Sequence, residues 1–306
     1  MKNGKRKKYE VNAIPGYANV LIHVFFLLWS AICIVPVLLV LGISFSSESS
    51  ILTYGYQFIP ADFSTASYEY VFGKAGMLVR AYGVSIGSTI VGTILSLTVM
   101  TLFAYPLSRR YFKYRSLFSF ILFITMIFSG GTVASYMIGV QVLHLKNNYL
   151  VYIWPYMMSA WSVIILRTFI TTTIPDELSE AAKIDGAGEF RILVQVVVPL
   201  LKPGIATVGL FTAIGIWNDW FTPSLFITDV NKFNMQYILY TMLTNIQFLK
   251  TNMNKVGGSS VAMLANMPTE GIRMAMTVMV IGPIVVAYPF FQRYFVKGIT
   301  IGAVKG

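Results

Sequence analysis

Glu180-Ala181-Ala182-Lys183-Ile184-Asp185-Gly186-Ala187-Gly188, followed by Phe190, a β-branched apolar run, Pro199-Leu200 and Pro203, is a polar, helix-capable segment in an apolar chain. On either side lie stretches long and apolar enough to cross a bilayer. A soluble-looking helix between two such spans is built to touch something outside the membrane.

The 306 residues are 56% hydrophobic and 11% charged. An ordinary soluble domain carries about 25% charged residues, so the deficit excludes a normal soluble surface. A helix needs about 20 apolar residues to cross the hydrocarbon core, and six such spans fit in one bundle. The net charge of +11 raises nucleic acid as a partner. The charges sit in short gaps between apolar runs, however, where they act as topology signals and lipid-headgroup contacts, and no nucleic-acid partner is expected. The one cysteine, Cys33, lies in the first apolar run, which excludes an intrachain disulfide or a thiolate cluster. It reads as a small packed hydrophobe.

The N-terminal Met1-Lys2-Asn3-Gly4-Lys5-Arg6-Lys7-Lys8 resembles the basic start of a signal peptide, but the run from Val20 to Phe45 is too long for one. It reads as an uncleaved first span, 20–45, with a kink expected at Pro36. Further spans are expected at about 80–107, 117–140, 149–171, 194–227 and 273–295. The second is rich in Gly, Ser and Thr (Gly83, Ser85, Gly87, Ser88, Gly92, Thr93, Ser96), which permits close helix approach. Prolines at 199, 203, 283 and 289 are tolerated where neighbours satisfy the freed carbonyls, and they provide bends.

With the N-terminus inside, sixteen of the 23 Lys and Arg face the cytoplasm and seven face outward. That asymmetry puts both termini inside. Arg109-Arg110-Tyr111-Phe112-Lys113-Tyr114-Arg115 is the strongest internal anchor. The expected organisation is a cytoplasmic segment 1–19, a first span 20–45, an outer loop 46–79, a core membrane domain 80–295 and a cytoplasmic tail 296–306. A second large outer loop covers 228–272.

This topology places 172–193 in the cytoplasm. Thr173-Ile174-Pro175-Asp176 reads as a helix start, with Thr173 as the cap and acids suited to the dipole. The helix is expected from Leu178 to about Asp185, with Gly186 ending it in the left-handed conformation. A second short helix follows from about Gly188. Ala181 and Ala182 permit close seating, Glu180 can pair with a cation, and Leu178, Ile184 and Phe190 supply apolar anchors. The plainer reading is an amphipathic helix lying on the membrane; the residues alone leave the two in balance.

The run from Glu180 to Ala187, with Pro199-Leu200 and Pro203 downstream, resembles the EAA loop of ATP-binding-cassette importer permeases. Trp217-Asn218-Asp219-Trp220 and the ending from Gln292 to Gly306 resemble carbohydrate permeases of the maltose-permease type. The C-terminal third is similar to the branch associated with complex oligosaccharides and lipoprotein-linked sugar uptake. The resemblance covers roughly residues 80–306. It implies an all-α membrane protein with six transmembrane helices, a cytoplasmic coupling helix between spans four and five, and N- and C-termini in the cytoplasm of a bacterial plasma membrane. It implies that Glu180 pairs with a basic residue of a cytoplasmic ATPase, that Ala181 and Ala182 allow the close fit, that Gly186 makes the turn, and that Asp185 belongs to the same ATPase-coupling set. It also implies that the C-terminal tail reaches the ATPase dimer. The implied partners are a second, related permease subunit, two ATPase subunits, and an extracytoplasmic binding protein that delivers a carbohydrate.

The chain has no G-x-x-x-x-G-K-[ST] and no H-E-x-x-H. ATP and Mg are therefore expected on partner chains, with no cofactor, metal or catalytic residue on this one. His23 and His144 are far apart and read as packing or interface residues. For the substrate path the candidates are Trp217, Asn218, Asp219 and Trp220. Asp219 either sits at the outer interface between aromatics or hydrogen-bonds sugar hydroxyls near the mouth of the path. An ion-gradient-driven secondary transporter would need intramembrane acids and repeated halves; a membrane-embedded enzyme would need clustered His, Asp or Glu. Neither pattern is found.

Overall fold

The computed structural model describes residues 15–73, 75–251 and 269–303, with backbone only at 249, 250 and 290–303. Most of the expected N-terminal segment, part of the second outer loop and the last three residues of the tail lie outside the described residues. The regular structure among them is helical, with one isolated antiparallel bridge, Ser46 to Phe63. They divide into two compact units, 1–69 with 266–278, and 70–265 with 279–306.

In the first unit, α1 (Gly16–Ser44) runs unbroken through Pro36, so the proline does not end the span. Cys33 is exposed on this helix rather than packed, because the apolar residues of α1 face outward within the chain. A short helix α2 (Glu48–Tyr54) follows. The Glu48 carboxylate accepts from Thr269 Oγ1 at 3.0 Å and from the Glu270 and Gly271 amides at 3.2 and 3.4 Å. These amides belong to the first turn of α14 (Thr269–Ala303), and an anion there satisfies donors that a helix start leaves open.

The second unit is built around one long helix. After α3 (Ala66–Phe72), α4 runs from Ala75 to Ser108. It packs on α7 (Ala160–Thr173) and on α11 (Lys202–Trp217). Lipid offers no hydrophobic drive between helices, so association depends on close van der Waals packing. A Cβ placed on Gly92 of α4 would stand 2.7 Å from Ile216 Cδ1, and one on Gly209 of α11 would stand 3.1 Å from Leu97 Cδ1. The glycines thus mark the α4–α11 contact, as the small-residue pattern predicts. Gly83 and Gly87 do not share that role, for nothing lies within 4 Å of their missing Cβ positions. A core of Met100, Ala104, Leu107, Val163, Leu166, Ile170, Ile192 and Val197 fills the space between α4, α7 and the segment leading into α11. The Tyr82 hydroxyl donates to Met279 O at 2.6 Å, and Trp217 Nε1 donates to Val280 O at 3.2 Å, fastening α14 to α4 and α11.

Three helices are individually long and apolar enough to span: α1, α4 and the described part of α14. The other three expected spans are bent pairs. α5 (Arg115–Ile127) and the segment from Gly131 to Val142, which opens with α6 (Gly131–Met137), meet at 114°. The break falls at Gly130-Gly131, and Gly131 has φ +76°, a conformation costly for any residue with a Cβ. Tyr149–Tyr156 and α7 meet at 53°, and Glu189–Leu200 and α11 at 80°. The 80° bend centres on Leu201, between α10 (Val198–Leu200), which holds Pro199, and Pro203 in the first turn of α11. Pro203 has no amide for the carbonyl of residue 199, so the ladder must break there. The apolar run 194–227 is therefore not one straight helix. Its helix past the bend ends at Trp217; α12 (Phe221–Phe226) follows as a separate turn and α13 (Met235–Thr251) after it.

Candidate coupling site and substrate path

The polar segment folds as two short helices, α8 (Asp176–Ile184) and α9 (Glu189–Ile192). Thr173 does not cap α8, because it is spent as the last residue of α7. Pro175 holds the cap position without a side-chain hydrogen bond, and its fixed φ suits a helix entry. Asp176 and Glu177 lie in the first turn and Lys183 in the last, which complements the dipole. Gly186 has φ +79° and turns the chain between the two helices. The Ala187 amide then returns to Ala182 O at 2.9 Å.

The two alanines of the motif have different environments. Ala181 and Glu180 are exposed on the outer face of α8, whereas Ala182 packs against the chain's own core. Ser179, one turn from Ala182, is buried. The apolar anchors are bare: Leu178 is 46% exposed, Phe190 72% and Ile184 87%. Asp185 ends α8 and is exposed.

Behind α8 and α9 lies a polar cluster that the sequence reading missed. Glu189 Oε2 accepts from the Tyr105 hydroxyl at 2.7 Å and from the Tyr111 hydroxyl at 2.8 Å. Its other oxygen lies 2.7 Å from Lys183 Nζ, which stands 3.7 Å from the centre of the Tyr111 ring. Arg109 is 3% exposed, stacks over Tyr105 at 4.7 Å, and approaches Asp176 at 3.7 Å. Arg110 reaches the same carboxylate at 3.6 Å. Partial burial pushes the Glu189 carboxyl up. Hydrogen bonds from Lys183 and the two tyrosines, with the Lys183 charge, outweigh that and hold it at about 2. Burial, with the hydrogen bond to Glu189, raises the Tyr111 phenol to about 12, so it stays a donor. The Arg109-Arg110-Tyr111 run that reads as a topology anchor thus also holds α8 and α9. Its only sequence signal is an acid directly after Gly188.

Of the substrate-path candidates, Trp217 is buried and serves the α14 contact. Asn218 is exposed and accepts from Gln236 Nε2 at 3.0 Å. Trp220 stacks on Tyr240 at 4.1 Å between ring centres. Asp219 is 8% exposed. Its Oδ1 accepts the Thr222 amide of the first turn of α12 at 2.9 Å, and the enclosed carboxylate faces the Tyr156 hydroxyl. Trp217 and Ala213 line a cavity of about 370 Å³, and two others lie among the described residues. One, of about 440 Å³, includes Arg80, Gly87, Ser88 and Tyr149; the other, of about 640 Å³, includes Thr132, Ser135, Trp154 and Thr222.

Gly83-Val84-Ser85-Ile86-Gly87 has the G-x-S-x-G spacing of a hydrolase elbow, but it lies inside continuous α4. Ser85 is buried there and accepts the Met235 amide at 2.9 Å. That motif needs a sharp strand-to-helix turn to expose its serine. Among the described residues no group of three or more His, Cys, Asp or Glu is placed to hold a metal.

A long helix flanked by bent spans, with a short exposed helix pair docked at its end, is the form of a transporter membrane subunit. The chain belongs to the family described as binding-protein-dependent transport system inner membrane component, whose profile matches residues 12–301. It is 37% identical over 276 residues to Protein LplC of Bacillus subtilis, covering 90% of both chains. It is 34% identical to the polygalacturonan/rhamnogalacturonan transport system permease protein YtcP of the same organism, covering 94% of this chain and 98% of that one. Among solved structures, a bacterial ABC transporter involved in import of the acidic polysaccharide alginate has a chain with TM-score 0.77 and 26% identity, covering 90% of this chain and 96% of that one.

Proposed function

We propose that this chain is one of two membrane subunits of an ATP-driven importer, and that it carries an oligosaccharide delivered by an extracytoplasmic binding protein. The observation that carries this reading is the α8–α9 pair. Exposed Ile184, Phe190 and Glu180 sit on a rigid knob whose other side is fixed to the bundle. A knob of that kind suits a groove on a cytoplasmic ATPase. In this reading the chain crosses the bacterial plasma membrane six times, each bent pair counting as one span, with both termini inside. A second, different permease subunit completes the path. ATP and Mg bind to two partner ATPases, and this chain supplies mechanical coupling and half of the wall. The carbohydrate assignment is supported by the relatives YtcP and the alginate importer and by an arabinooligosaccharide permease, AraQ of Halalkalibacterium halodurans, at 28% identity.

The test is affinity purification from the native host in mild detergent, then reconstitution of what co-purifies. A P-loop ATPase and a second permease are expected. ATP-dependent uptake should be found for at least one of labelled oligogalacturonides, arabino-oligosaccharides or raffinose. Uptake that runs on an ion gradient without ATP would overturn the proposal.

A further inference from the structure

We propose that Glu189, gripped by Tyr105 and Tyr111, is a mechanical tie that makes α4 move with the coupling helices. The inference rests on the reading of α8 as the docking helix and adds the route by which its motion reaches the path. By chain connection, α8 and α9 join only α7 and α11. The connection from α9 to α11 passes through a π-helical turn, Leu193–Val197, and then the 80° bend at Leu201. Both are places where a helix yields.

The route through α4 has no π-helical turn or sharp bend between the tie and the cavity: Pro106 removes one rung, to the carbonyl of Leu102, but the helix continues through it. The helix is continuous from Ala75 to Ser108, and 34 residues at about 1.5 Å each make a lever of about 50 Å. Tyr105 stands near one end, just ahead of Pro106. About 25 Å back along the helix, near its middle, Gly87 and Ser88 line the cavity of about 440 Å³. Two hydroxyls on one carboxylate oxygen, a lysine on the other, and Arg109 and Arg110 on Asp176 grip α8 and α9 from this end of α4. With Glu189 and Lys183 each more than a third exposed, solvent screens the ion pair. The tie therefore acts by fixing geometry, through charge-assisted hydrogen bonds from ring-bearing, low-entropy donors. Tyr105, Tyr111 and Glu189 are positioning residues.

The experiment uses the whole complex in proteoliposomes, with Cys33→Ser to remove the native thiol. Ser88→Cys reports on α4 and Ala213→Cys on α11, by the rate of labelling with a small methanethiosulfonate reagent with and without ATP and vanadate. In the parent, ATP and vanadate should change both rates. With Tyr105→Phe/Tyr111→Phe, which keeps both rings, the response at 88 should be lost and the response at 213 retained. Glu189→Ala should behave likewise, and Glu189→Gln should restore part of the response at 88. An unchanged response at 88 in the double variant overturns the tie. Loss at both positions assigns the tyrosines to assembly and overturns it equally. A parent that shows no response at either position counts against ATP-driven coupling itself, and with it the tie.

Discussion

The Tyr105 hydroxyl donates to Glu189 Oε2 at 2.7 Å across 84 positions of sequence. It joins the C-terminal end of α4 to α9. The groups facing this carboxylate are Lys183, Tyr105, Tyr111 and, over the Tyr105 ring, Arg109. The folded carboxyl lies near 2, against 4.5 for an unconstrained one. A depressed carboxyl contributes stability that is complete above the unfolded value and lost as pH falls through the folded one. Glu189→Gln should therefore melt below the wild type by a constant margin from neutral pH to about 5, and the margin should shrink below about 4.5. Thermal midpoints in detergent across this range check it; a margin that widens in acid contradicts it.

Gly186 sits at φ +79° with open space around its missing Cβ. The cost of a side chain there is conformational alone. Gly186→Ala should destabilise the turn by about 1 kcal/mol, and Gly186→Asn by less. Proteolytic clipping between α8 and α9 should rise in that order: glycine, asparagine, alanine.

On the outer face of α8, charge and apolar contact have separable effects. Glu180→Lys should leave the chain in the membrane and abolish ATP-driven uptake by reversing the docking charge. Ile184→Asp should weaken retention of the ATPase by about tenfold, the loss of one buried aliphatic side chain. Co-purification ratios against membrane content check both, and normal uptake by Glu180→Lys would count against its docking role.

At the α4–α11 contact, Gly92→Leu should cost about 1–3 kcal/mol by overpacking against Ile216. Gly87→Leu, with nothing within 4 Å, should cost much less. Heat-induced aggregation in detergent ranks the two.

The six apolar runs, the two short helices and the left-handed glycine were legible because each is a local property: run length, composition, one residue's freedom. The bends in the third and fourth spans were not, since an apolar run keeps its hydropathy whether straight or folded back. Prolines 199 and 203 announced a bend but not that the segment to 227 ends at Trp217. Thr173 misled because a β-branched hydroxyl residue suits a cap and also a last helical turn, and packing of α7 chose the turn. The Glu189 tie was hidden because its donors are 84 and 78 positions away, and Arg109 and Tyr111 already had a sufficient explanation in topology. Ser179, polar and just ahead of the motif, is buried, one turn from Ala182 on the inner face of α8, which a short polar run does not reveal.

The most direct test places a photo-crosslinking amino acid at position 184, on the most exposed anchor of the coupling helix, in native membranes. The account predicts an adduct with a P-loop ATPase, lost when Glu180 is also changed to Lys. Adducts with lipid alone, or with a protein on the outer face, would contradict it.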